Sequence, residues 1–229
     1  MTEYQSDSQR VRVLLVDDHA VLRQGMAAMI NEEPDLMVCG EADGVRAAIQ
    51  TAEAANPDVA IVDLSIREGD GLELLRELKR RFPRVLSLVL SMYDESVYAE
   101  RALRAGARGY IMKAEAARSV MTGIRRVLNG EIYLSPQMTE RLAQNTANAA
   151  SAKTGEFPPA PTLLRRLSDR ELQVLRCVGR GLSTREAAEE LFISIKTVEA
   201  HREHIKVKLG LSSSGELLRF AIEHSRVNG

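Results

Sequence analysis

Five short apolar runs rich in β-branched residues recur through the first half of the chain: VRVLLV (11–16), LMVCG (36–40), DVAIV (58–62), VLSLVL (85–90) and RGYIM (108–112). Strands this uniformly apolar are covered on both faces, and each gap between them is long enough for a crossover helix, which is the pattern of a parallel α/β sheet. The gaps carry helical spacing: Val21, Leu22, Met26, Met29 and Ile30, then Leu72, Leu74, Leu75 and Leu78, then Val97, Ala99 and Leu103. Val120, Met121, Ile124, Val127 and Leu128 make a last helix that Asn129-Gly130 closes. The expectation is a doubly wound (βα)5 domain over residues 11–132.

After Pro136 the character changes. Residues 142–162 are rich in Ala, Asn, Ser and Pro without sustained periodicity, and residues 133–162 are read as a linker. Residues 163–229 hold only helical patterns, carried by Leu172, Val174, Leu175 and Val178, by Ala187, Ala188 and Leu191, by Val198, Ile205 and Leu209, and by Leu217, Leu218 and Ala221. A small four-helix domain is predicted there. The 229 residues suffice for two such domains, and 45% hydrophobic content excludes a disordered chain. Net charge is −1, but the later part carries 12 basic against 9 acidic side chains (+3) and residues 1–162 carry 19 against 23 (−4). That asymmetry points to two jobs, and to a weak attraction between the two parts. The two cysteines, Cys39 and Cys177, fall in different domains, so no disulfide is expected and a reducing cytoplasm fits. No signal-peptide run or apolar stretch of membrane-spanning length occurs, so a cytoplasmic protein without membrane partners is expected.

In open parallel sheets, functional groups collect beyond the C-terminal ends of the strands. Here those ends carry Asp17-Asp18, Asp63, Ser91 and Lys113. Three carboxylates brought together repel unless a cation sits among them, and a hard, oxygen-bound, partly hydrated Mg²⁺ suits the set. Lys113 and Ser91 supply a positive charge and a hydroxyl suited to a phosphoryl group on Asp63. His19 beside the acids is read as solvent-facing.

The segments LLVDDH, IVDLSIREGDGLELL, LVLSMYDE and GARGYIMKA, in that order over residues 11 to about 130, resemble the receiver domain of two-component response regulators. The resemblance implies a strand order of 2-1-3-4-5. It implies that Asp63 accepts a phosphoryl group from a sensor histidine kinase, that Asp17, Asp18, Asp63 and the main-chain carbonyl of Ser65 hold Mg²⁺, and that Lys113 and Ser91 grip the phosphate. Tyr110 matches the family's switch aromatic, which turns inward as the serine moves. One departure is Ile66-Arg67, where the family usually has Met-Pro or Lys-Pro.

In the later part, Ser168 and Glu171 have capping-box spacing, Arg180-Gly181-Leu182-Ser183 turns between two helices, and Ser194 caps a third. A helix, short turn and basic second helix is the helix-turn-helix layout. Residues 163 to about 225 resemble the LuxR-type helix-turn-helix of the NarL/FixJ response-regulator class. The resemblance implies binding of double-stranded promoter DNA, with Lys196, Thr197, Arg202 and Lys206 on the backbone and Glu199, Ala200 and Glu203 facing the groove; His201 and Lys208 complete the expected surface. The last helix, 212–223, resembles the one through which such domains pair, so a homodimer on phosphorylation or on DNA is expected. His201 and His204 lie three apart, but no Cys or Glu-x-x-His context supports a metal there. An aspartate-nucleophile phosphotransferase is the competing enzyme reading; it needs an Asp two residues after the nucleophile, where this chain has Ser65. A receiver working without phosphorylation would lack one of the acids or the lysine. The expectation is a transcription regulator, not an enzyme.

Overall fold

The computed structural model describes residues 10–66, 69–140 and 163–225. Arg67, most of the expected linker (141–162) and both chain ends lie outside the described residues. The chain divides into two compact units, described in turn.

The first runs β1 (Val11–Val16), α1 (Ala20–Asn31), β2 (Leu36–Ala42), α2 (Val45–Ala55), β3 (Val59–Val62), α3 (Gly71–Arg81), β4 (Leu86–Ser91), α4 (Glu95–Ala105), β5 (Ala107–Met112), a 3₁₀ turn at Lys113–Glu115 and α5 (Ala116–Leu128). The five strands form one parallel sheet in the order β2-β1-β3-β4-β5. Alternate strand residues point to opposite faces. Val13, Leu15, Ile61, Leu88, Leu90 and Ile111 meet Met26 and Ile30 of α1 and Val120, Ile124 and Val127 of α5. Their neighbours Leu14, Val16, Ala60, Val62, Val89 and Tyr110, on the other face, are equally buried. Burial of both faces is why the strands read as unbroken apolar runs.

Val21, counted with the apolar face of α1, is 85% exposed. It precedes Ile30 by nine residues, two and a half turns, and so lies on the opposite side of the helix. The first residues expected in the linker belong to the sheet. Tyr110 N donates to Tyr133 O (2.8 Å) and Tyr133 N donates to Arg108 O (2.9 Å), which covers the edge of β5. Ser135 N donates to Glu95 Oε1 (2.9 Å) and ties the same segment to the first turn of α4.

The loop after β3 is closed by a near approach of backbone. A Cβ on Gly71 would lie 2.4 Å from the Asp63 carbonyl oxygen and 2.5 Å from Leu64 Cα. Asp70 caps α3 by accepting from Leu72 N (3.0 Å). Gly71→Ala is therefore expected to cost about 1–3 kcal/mol of stability, because the obstructing atoms are main chain and cannot step aside. Urea unfolding measures it, and an unchanged midpoint would show that the loop can give way.

The second unit contains α6 (Asp169–Gly179), α7 (Thr184–Glu190), α8 (Ile195–Leu209) and α9 (Ser214–Ser225). Leu172, Val174, Leu175, Val178, Ala187, Ala188, Val198, Ile205, Leu217 and Ala221 form its core. The capping box at Ser168 and Glu171 is formed, and a second one joins Ser183 and Glu186. Ser194 Oγ accepts from Thr197 N (3.0 Å), and Gly210 ends α8 in the left-handed conformation. The turn between α7 and α8 places Phe192, an exposed side chain, at a φ of 53°. Leu218, expected in the core of α9, is substantially exposed. Cys39 and Cys177 are free thiols, the first half-buried and the second buried. Among the described residues no helix is long and apolar enough to cross a membrane.

Candidate phosphoacceptor pocket and nucleic-acid interface

Strand register builds the pocket. Val16 pairs with Val62, so Asp17 and Asp63 leave the sheet side by side. Val62 pairs with Val89 and Ser91 with Met112, which brings Ser91 and Lys113 to the same end of the sheet. Asp63 is 2% exposed. Lys113 Nζ lies 2.7 Å from Asp63 Oδ2 and 2.7 Å from Asp17 Oδ2, and its side chain is 5% exposed. Ser65 N donates to Asp63 Oδ1 (3.1 Å) and so fixes the carboxylate's orientation.

Burial pushes the Asp63 carboxyl up to about 6, the Lys113 charge and hydrogen bond notwithstanding; the neighbouring Asp17 carboxylate adds to the rise. Burial works against the charge of Lys113 too, but Asp63 and Asp17 outweigh it and hold its pKa above the ordinary value. The ammonium thus has two carboxylates to balance, and Asp18 stands beside them. Asp18 Oδ1 is buried and makes no well-angled hydrogen bond, although His19 Nδ1 lies 2.8 Å away. Carboxylate oxygens of Asp17, Asp18 and Asp63 and a ring nitrogen of His19 all lie within 4.8 Å of one another. An orphaned carboxylate oxygen in an overly acidic pocket fits a hard divalent cation. His19 is 63% exposed, yet its ring reaches both acids, with Nδ1 3.2 Å from Asp17 Oδ1.

Ser91 is fully buried and its Oγ accepts from Tyr93 N (3.2 Å). Tyr110 is buried, and its hydroxyl donates to Tyr93 O (2.7 Å). Tyr93, which sequence reasoning did not single out, is thereby gripped at both main-chain groups. Nothing in its residue type signals this, because only its backbone is used. Arg23 was also missed; it donates to the Asp17 carbonyl and to Glu41 Oε2 (2.9 Å).

On the helical unit, Lys196, Thr197, Glu199, Ala200 and Glu203 of α8 are exposed, while His201, Arg202 and Lys206 are half-buried. Two cations of the expected DNA surface are engaged within the unit. Lys208 Nζ lies 2.7 Å from Oε2 of the buried Glu171, which ties the C-terminal turn of α8 to the N-terminus of α6. Lys208 thereby acts as a strut between the two helices. Lys206 pairs with Glu203 (2.9 Å), one turn back. His201, also expected on the DNA surface, is half-buried with its Nδ1 buried and without a hydrogen-bond partner. Burial lowers its pKa below the ordinary value.

A parallel 2-1-3-4-5 sheet with an acidic pocket at its strand ends, followed by a helix-turn-helix unit, defines a response regulator. The family model for the response regulator receiver domain matches residues 13–125, and that for bacterial regulatory proteins of the luxR family matches residues 165–221. The chain belongs to the NarL/FixJ-type response regulators, which are DNA-binding transcription regulators and not enzymes. It is 38% identical over 219 residues to the oxygen regulatory protein NreC of Staphylococcus carnosus, covering 93% of this chain and 97% of that protein. The NreC of Staphylococcus epidermidis is 36% identical over 215 residues, with the same coverage. Among solved structures, RcsB of Salmonella enterica serovar Typhimurium bound to promoter P1flhDC in the presence of phosphomimetic BeF3− superposes with a TM-score of 0.68 at 25% identity, over 93% of this chain and 99% of that one.

Proposed function

We propose that Asp63 accepts a phosphoryl group from the phosphohistidine of a sensor histidine kinase in a Mg²⁺-dependent step, and that this controls pairing of the chain and its binding to double-stranded promoter DNA. The observation that carries the reading is Lys113 held between Asp63 and Asp17 at the strand ends. Near pH 7 the Asp63 carboxylate is ionised, and one of its oxygens attacks phosphorus as the phosphorus–nitrogen bond to the donor imidazole breaks. Lys113 offsets charge that develops on the phosphoryl oxygens. Asp17, Asp18, Asp63 and the Ser65 carbonyl would hold the Mg²⁺, whose chemistry when bound is neutralisation of phosphoryl and carboxylate charge.

The change then passes through Tyr93. Ser91 Oγ, now accepting from Tyr93 N, is the hydroxyl that turns to the new phosphoryl group. Release of that bond frees the Tyr93 amide from Ser91 while the Tyr110 hydroxyl stays on the Tyr93 carbonyl, just before α4. Intact mass after treatment with a small phosphodonor and Mg²⁺, paired with size-exclusion chromatography, tests the whole reading. One added phosphoryl group together with a shift toward dimer is expected; no added mass overturns it.

For DNA, the exposed face of α8 is the element that enters the major groove, with Lys196, Thr197 and Arg202 against phosphates and Glu199, Ala200 and Glu203 toward base edges. Lys206 joins the backbone contacts once it leaves Glu203. Arg202→Ala is expected to weaken binding to every DNA sequence alike and to flatten the salt dependence by about one counterion. Binding isotherms across a salt series measure this, and an unchanged slope removes Arg202 from the phosphate contacts.

A further inference from the structure

Glu171 on the first turn of α6 faces His201 and His204 on α8, and one possible ligand atom from each lies within 4.8 Å of the others. The two histidines are three apart in sequence and therefore share a side of the helix. Sequence spacing offers only this pair; the fold adds the carboxylate. The three side chains also have unused valences. Glu171 Oε2 accepts from Ser168 N at 2.6 Å and Lys208 Nζ at 2.7 Å, and the Ser168 side chain also bonds the carboxylate. Among the described residues neither histidine ring makes a hydrogen bond. His201 Nδ1 is buried without a partner, an arrangement that costs stability unless something satisfies it.

We propose that Glu171, His201 and His204 form a second metal site, for a borderline divalent transition cation of the Zn²⁺ class, separate from the carboxylate pocket of the receiver. Two imidazoles and one carboxylate are the donor set of such ions and not of Mg²⁺. A metal at about 2.1 Å from each of three tetrahedral ligands needs them about 3.4 Å apart, and His204, which is exposed, can swing to meet that spacing. Water fills the remaining position. The ammonium of Lys208 on the far oxygen of Glu171 repels a cation, so the affinity expected is micromolar rather than that of a dedicated structural zinc centre. An ion held there pins the middle of α8, the DNA-facing helix, to the start of α6.

The test uses Co²⁺ as a visible-absorbing probe on the full chain, with Mg²⁺ in large excess to occupy the carboxylate pocket. One equivalent of Co²⁺ is expected to give visible bands stronger than those of the aqueous ion. His204→Ala and His204→Gln should each weaken this binding at least tenfold without changing the melting temperature of the metal-free protein, and Asp18→Asn should leave it intact. Zn²⁺ should raise the melting temperature of the unsubstituted chain and not of the His204 variants. Bands that persist unchanged in both His204 variants, or that never develop, overturn the proposal.

Discussion

Asp63→Asn is expected to abolish phosphoryl uptake and, in the presence of a chelator, to stabilise the receiver at neutral pH. The first effect follows from removing the carboxylate that Lys113 and the Ser65 amide jointly orient at the centre of the pocket. The second follows from the rise in its pKa from the ordinary 3.8 to about 6. Because the folded-state value lies above the unfolded one, the folded chain holds the extra proton between those two pH values, and stability falls as pH rises through that window. Above it the buried carboxylate costs on the order of 3 kcal/mol, at about 1.4 kcal/mol per unit. The neutral amide escapes this cost, and Lys113 keeps Asp17 as its partner. Intact mass with a phosphodonor measures the first effect. Thermal melts at several pH values measure the second, which should shrink toward zero near pH 4. A variant still modified to the original extent would sink the assignment of Asp63, and a gain independent of pH would sink its electrostatic explanation.

Lys113→Ala should have the opposite sign. It leaves Asp17 and Asp63 buried against each other with Asp18 alongside and, among the described residues, no Lys or Arg paired to them. Loss of one partner from a buried ionic cluster costs about 3–5 kcal/mol. The loss should be largest at neutral pH and should lessen as the pH is lowered and the carboxylates take up protons. Mg²⁺ should restore much of it, because a dication supplies the missing charge, whereas the same addition should stabilise the unsubstituted chain less. Urea unfolding with chelator and with Mg²⁺ measures both. Equal stabilisation of the two proteins by Mg²⁺ would show that the metal and the lysine do not share the same carboxylates.

Much of this was legible in the residues alone. The unbroken apolar runs at β1, β3 and β4 could only be strands covered on both faces, and their helical gaps could only be crossovers. Ser168 and Glu171 announced the start of α6 by their spacing. The same S-x-x-E spacing at Ser183 and Glu186 carried an equal signal for α7. Local rules suffice for these features because caps and periodicities are made by residues three or four apart. The pocket was legible for a different reason: in a parallel sheet every strand delivers its C-terminal residue to the same end.

What tertiary structure alone decided involves partners distant in sequence. Lys208 and Arg202 are both basic residues on one helix. Only the fold places the first against Glu171, 37 residues away, and leaves the second without an ion pair among the described residues. Tyr93 is gripped through its main chain, to which its side-chain identity gives no clue. The segment at Tyr133, polar enough to read as linker, joins the edge of β5 through backbone hydrogen bonds that any residue could make. His201 and His204 read as an unsupported pair until the packing of α6 on α8 supplies Glu171. Residue types and their spacing determined which groups reach the strand ends and where the helices begin. Which charges are spent inside the protein and which remain for a partner depends on distances across the chain, and those exist only once the core has closed.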